Sequence, residues 1–193
     1  MGSLVLTGDT SGSVTVTVPA VAGSNTATIA AATGSHFPFT AGTAVASTSG
    51  TSITFTDIPS WVKRITVMFS GVSTSGTSNR LIQLGDAGGI ENTGYTSYSC
   101  ITGVAAVAQG QNYTTGFGLG GNVASYVYGG AVFISLLGSN TWCANGTLIE
   151  STSSLGIPVG GAKTLSDTLT QIRITTVNGT DTFDAGSINI LYE

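Results

Sequence analysis

Charge is what this chain has least of. Only 7% of its 193 residues are Asp, Glu, Lys or Arg, with five basic residues, nine acidic and a net charge of −4, where a soluble domain ordinarily carries roughly a quarter. Clustered Lys and Arg are what a phosphate backbone needs, so nucleic acid is excluded as a partner. Histidine is nearly absent too. The single His36 would have to serve any Ser-His-Asp or Cys-His device, and there is no G-x-S-x-G elbow. Cys100 and Cys143 are too few for a disulfide scaffold and match no zinc spacing; they either pair or sit as small apolar side chains. No window approaches the ~18 uninterrupted apolar residues of a spanning helix, so membrane insertion is not expected. The start, "MGSLVLTGDTSG", lacks a basic region followed by an apolar core, and no signal peptide is expected. "GDAGG" (85–89) is followed by no helix that could cradle phosphate, and no cofactor is implied.

Helix formers are scarce as well, whereas Val, Ile, Thr, Tyr and Phe recur in short alternating runs. The chain is therefore expected to be all-β, with strands at 13–18, 26–31, 51–57, 64–71, 80–86, 94–103, 115–120, 127–138, 141–150, 169–179 and 185–193. Turn clusters such as "SGTSN", "LGSN" and "NGTD" separate them. Many short strands at close spacing imply an antiparallel β-sandwich, jelly-roll-like in type. Residues 1–45 differ from the rest. They are rich in Ala, Gly, Ser and Thr, have almost no large core former after Leu6, and cannot bury enough area to fold alone. They are expected to be an extended β arm for oligomerisation or attachment, leaving 46–193 as the sandwich.

Candidate chemistry is thin. Asp86 with Glu91, and Asp181 with Asp184, are the closest carboxylate pairs, but each lies in turn-like sequence where acidic side chains bond their own backbone. Metal ligation is not expected, because neither turn follows a calcium-loop pattern. Binding has better material. Tyr95, Tyr98, Tyr113, Tyr126 and Tyr128 lie among Gly, Ser, Asn112, Gln111 and Asn122, a mixture that gives large rigid contact area at low entropic cost. Alternating tyrosines that merely cover a sheet explain the same pattern. In "SWVKRITVMFSG" strand alternation sends Lys63 and Arg64 to opposite faces, so they form no basic patch. Arg64 and Arg173 each open a "RIT" triplet in an apolar strand, which makes them candidate intersubunit or cross-sheet anchors.

"LTGDTSGSVTVTVPAVAGSNTATIAAATG" (6–34) resembles a segment of tail-fibre and other appendage proteins of tailed bacteriophages. "FTDIPSWVKRITVMFSGVSTSGTSNRLIQLGDAGGIENTGY" (55–95) with "RITTVNGTDTFDAGSINILYE" (173–193) is similar to the domain that follows it there. The likeness fails mainly over 100–165. It implies a virion structural protein, homotrimeric, made in the host cytoplasm and not an enzyme. The arm would meet other virion proteins, and the head would meet a host cell-surface glycan or protein. A capsid or collar decoration protein of purely structural role is the alternative, and a polysaccharide-cleaving spike the third.

Overall fold

A computed structural model describes residues 3–7, 13–17, 39–103 and 106–193, with side chains described over 39–103 and 110–193. Two compact units divide the chain, Met1–His36 and Phe37–Glu193. In the first, β1 (Ser3–Thr7) pairs antiparallel with β2 (Ser13–Thr17), Ser3 facing Thr17. The expected strand at 26–31 and His36 lie outside the described residues.

The second unit is all-β and antiparallel, and no helix occurs among the described residues. Its strands are β3 (Thr40–Ala41), β4 (Val45–Ala46), β5 (Ser52–Phe55), β6 (Arg64–Thr74), β7 (Arg80–Asp86), β8 (Gly89–Ile90) and β9 (Tyr95–Gly103). They continue with β10 (Ala106–Tyr113), β11 (Phe117–Leu119), β12 (Tyr128–Gly138), β13 (Thr141–Glu150), β14 (Leu155–Thr164), β15 (Gln171–Thr176) and β16 (Phe183–Tyr192). The larger sheet runs β10-β9-β14-β13-β12-β6-β16-β3, with β4 also on β16. The smaller runs β11-β7-β15-β5, with β8 on β7.

Alternation along each strand decides which side chains meet between the sheets. Ile65, Val67 and Phe69 of β6, Val132 and Ile134 of β12, and Ile188 and Ile190 of β16 come from the larger sheet. Ile82 and Leu84 of β7 and Ile172 and Ile174 of β15 come from the smaller. All are buried and join one core cluster, which makes the unit a β-sandwich. β7 is buried along its whole length, since it is central in its sheet and Arg173 and Gln171 cross its outer face.

The boundary expected at 45/46 falls instead at 36/37. Gly42 N donates to Ile190 O at 2.8 Å and Ser47 N to Gly186 O at 2.9 Å, so β3 and β4 complete the open edge of β16 and belong to the sandwich. A second difference is β14, where no strand was expected because "LGIPVGGAKT" holds Pro158 and three glycines. Its ladder to β13 is continuous, while its ladder to β9 has no pair at Ile157 or Pro158, so the missing N–H falls at a gap. Further along, where the β14–β9 ladder is paired, Gly161 lets the backbones approach closely: a Cβ on it would lie 2.6 Å from Thr96 O and 2.8 Å from Ser97 Cα. β10 was also unexpected; its apolar-poor "AQGQNY" follows β9 as a hairpin partner.

Because backbone rather than a flexible side chain blocks that Cβ, Gly161→Ala should lower stability by about 1–3 kcal/mol. A thermal melt of the variant against wild type reads the loss, and an unchanged midpoint would contradict this account.

Candidate functional site

Between β9, β10 and the connection from β11 to β12 lies a cavity of about 100 Å³, lined by Asn79, Ser99, Gln111, Tyr113, Gly121 and Asn122 among others. That volume holds about three waters or one hydroxymethyl group. Its walls are neutral hydroxyls and amides. Asn79 Nδ2 donates to Gln111 Oε1 at 2.7 Å, and the Tyr113 hydroxyl reaches the same oxygen at 3.4 Å. Two polar atoms in the lining, Asn79 Oδ1 and Ser99 Oγ, are buried with no partner among the described residues, and Ser99 as a residue is only 1% exposed. Ser99 Oγ is near enough to influence the Tyr113 hydroxyl but not in hydrogen-bond geometry; burial raises the Tyr113 pKa more than that hydroxyl lowers it. An orphaned buried hydroxyl costs about 1–3 kcal/mol, which a hydroxyl-bearing occupant would recover.

The sequence builds this cavity through "TGFGLGG". In β11 Phe117 and Leu119 enter the core, while Gly118 lies flat beneath the Tyr113 ring, where a Cβ would sit 2.0 Å from the ring edge. Gly118 N donates to Ser97 Oγ at 3.1 Å, tying β11 to the inner face of β9. The connection beyond is held from inside. Arg80, which the sequence reading passed over, is 2% exposed and on the core side of β7. Its Nη1 donates to Gly121 O at 2.8 Å and lies 3.0 Å from Tyr128 Oη, and its guanidinium carbon sits 4.5 Å from the Tyr128 ring centre. Tyr128 in turn donates to Gly120 O or Gly121 O, at 2.8 and 2.9 Å. Burial lowers the Arg80 pKa, opposed by the charge distribution of Tyr128, Asp181 and Asp184. Its Nε and Nη2 have no partner among the described residues.

On the far side of the connection, Glu150 is wholly buried, and its carboxylate accepts from Thr152 N at 2.7 Å, Ser153 N at 2.6 Å and Val127 N at 3.2 Å. Burial pushes its pKa up, but these backbone donors outweigh it and the net shift is downward.

The five tyrosines do not form one surface. Tyr95, Tyr113 and Tyr128 are 3%, 4% and 2% exposed, so none presents a ring face to the outside, and Tyr113 alone of the three lines the cavity. Amphipathic rings buried with their hydroxyls satisfied explain this: Tyr95 Oη accepts from Leu84 N at 2.7 Å and donates to Glu91 O at 3.0 Å. Tyr126 is half-buried against the core. Tyr98 is half exposed on the outer face of the larger sheet, its ring lying over Gly110. Arg64 forms an ion pair with Glu193 and exchanges backbone bonds with it at 2.8 and 2.9 Å, an anchor between neighbouring strands of one sheet. Arg173 bonds Gln83 across β15 and β7, also within one sheet. Neither arginine bridges the two sheets. Cys100 and Cys143 are both free.

The carboxylate pairs are spoken for. Ser166 Oγ lies 2.7 Å from Asp86 Oδ2 and 2.8 Å from Glu91 Oε1, and Glu91 also pairs with Lys163. The Ser166 and Gly88 donors lower the Asp86 pKa; burial raises that of Glu91, but Lys163 and Ser166 bring it down overall. A general acid needs the opposite shift. Asp181 accepts from Asn178 Nδ2 at 2.7 Å and Ser78 N at 2.9 Å and is lowered by them, while Asp184 accepts from Ser73 Oγ. Among the described residues no group of three or more His, Cys, Asp or Glu could hold a metal ion. No family model, curated protein or solved structure matches the chain.

Asp86, Glu91, Glu150 and Asp181 all have folded pKa values below their ordinary ones, 3.8 for Asp and 4.5 for Glu. Their stabilisation is complete above the unfolded values and is lost as pH falls through the folded ones. Thermal midpoints should therefore drop steeply below about pH 4, and the drop should be shallower in Glu150→Gln, which starts less stable at neutral pH. A midpoint flat from pH 6 to pH 3 would contradict this linkage.

Proposed function

We propose that the chain is a structural protein of a phage virion, a tail-fibre or similar appendage whose sandwich reads a host-surface receptor. The observation that carries this reading is the cavity beside β9, β10 and β11. Most of its lining, Ile101 to Asn122, falls in the stretch, 100–165, where the chain departs from its resemblance to phage appendage domains, while Asn79 and Ser99 lie before it; the chemistry is the neutral amide and hydroxyl kind that suits a sugar. The separate small-residue unit Met1–His36 supports an attachment and assembly role for the N-terminus. Carboxylates held ionised by turn donors favour binding over polysaccharide cleavage. The outer face of the larger sheet favours the structural alternative, a capsid or collar decoration. Thr66, Phe133, Asn145 and Tyr98 form one cross-strand row on it, with no charged residue among them, as suits a surface covered by a neighbour.

Purified protein should block adsorption of the parent phage to its host. Gln111→Ala with Asn122→Ala should weaken that block roughly tenfold or more with an unchanged melting midpoint. Failure of the wild-type protein to block adsorption, joined to its location on the head in images of the particle, would transfer the assignment to the decoration role.

The trimer expected from the resemblance has its own measurement. Sedimentation at micromolar concentration should give three chain masses for the full chain and a smaller species for 37–193. A folded monomer of the full chain would end the trimer proposal.

A further inference from the structure

The outer face of the smaller sheet carries a second depression, of about 280 Å³, lined by Gln83, Asn92, Thr115, Arg173, Thr175 and Asn178 among others. Gln83 is its fixed point. This side chain is 4% exposed and held at both ends: Nε2 donates to Thr115 O at 2.8 Å, and Oε1 accepts from Arg173 Nε at 2.9 Å and Nη2 at 2.7 Å. One edge of the guanidinium is thereby clamped. Nη1, with the remaining N–H of Nη2, forms the other edge, and these make no hydrogen bond or ion pair with any described residue. A guanidinium has five N–H donors in a fixed plane. Clamping it through two leaves a pre-oriented fork of the spacing that a carboxylate fills with two parallel bonds. No acidic residue among the described ones is spent on it, although acidic residues outnumber basic ones nine to five in the sequence.

We infer that this depression binds the carboxylate of an acidic sugar, a hexuronate or similar unit, through the free edge of Arg173. The volume is near the low end for small-molecule sites and matches one sugar ring. Thr115, Thr175 and Asn92 around the arginine supply hydroxyls and an amide for the ring hydroxyls, which a peptide carboxylate would not use. Thr175 Oγ1 donates to Thr51 O at 2.9 Å, which spends its proton and leaves its oxygen as an acceptor. The choice of a cell-surface sugar rests on the receptor-binding reading above. The site itself rests on the clamped arginine.

The test is a titration of isotope-labelled full-length protein with glucuronate, glucose, inorganic phosphate and a short Glu-containing peptide, followed by amide shifts. Glucuronate should give saturable shifts centred on Gln83, Thr115, Arg173 and Thr175, weakened by added salt, and glucose should give none there. Arg173→Gln should lower glucuronate affinity roughly tenfold or more, and Arg173→Lys should restore only part, because an ammonium lacks the fork. Where Arg173→Gln disturbs folding, the wild-type shift map decides alone. Shifts centred elsewhere, equal response to glucose, or equal or tighter binding of phosphate or the peptide would overturn the inference. Adsorption blocked without glucuronate binding sinks this site and spares the receptor reading; glucuronate binding without any adsorption block does the reverse.

Discussion

The guanidinium of Arg80 lies inside the sandwich with no described carboxylate paired to it, and the loop that shapes the cavity depends on how that charge is accommodated. Burying a cation costs several kcal/mol. The offset comes from the Tyr128 ring, about 2 kcal/mol for a desolvated cation–π contact, and from charge-assisted bonds to the Gly121 carbonyl and Tyr128 hydroxyl, about 1.5–3 kcal/mol each. These partners all belong to one stretch, 120–128. The cation therefore pins the connection that follows β11 to the core strand β7, and that connection forms one wall of the cavity.

The same solution recurs at smaller scale. A chain with so few charges places Asp86, Glu150 and Lys163 among its buried residues. Each is spent on fixing irregular backbone: Asp86 and Glu91 on the segment at Ser166, Glu150 on the turn at 151–153, Lys163 through Glu91. Sheets satisfy their own backbone groups by pairing, but loops do not, so scarce ionised side chains go where the ladders stop. The two depressions described above are lined mainly by hydroxyls, amides and backbone, and Arg173 is the charged residue in those linings, its guanidinium oriented by Gln83.

The class of the fold was legible in the residues. Period-two alternation in "RITVMFS", "RLIQLGD" and "SINILYE" determined which side chains face inward, because successive residues of any strand point to opposite sides. The carboxylates were legible only in their local contacts, Gly88 N on Asp86 and Asn178 on Asp181, which depend on spacing along the chain; the bonds of Glu91 to Ser166 and of Asp184 to Ser73 join distant segments and leave no such trace. The roles of the tyrosines were not legible, because a tyrosine covering a sheet and one buried with its hydroxyl bonded have the same sequence pattern. Tyr95 shows this, its hydroxyl caught between Leu84 and Glu91.

By itself, then, the sequence determined an antiparallel β protein, its strand faces and a small-residue N-terminal unit, all properties set by neighbours along the chain. Only the tertiary structure decided that β14 runs through Pro158, that β3 and β4 belong to the sandwich, that Arg80 is buried and that Arg173 is half-buried with one edge held by Gln83. Those outcomes turn on what stands across a ladder or a core: a gap opposite a proline, an open edge at β16, an aromatic ring over a cation, a glutamine beside a guanidinium. Partners brought together over tens of residues leave no periodic trace in the chain that makes them.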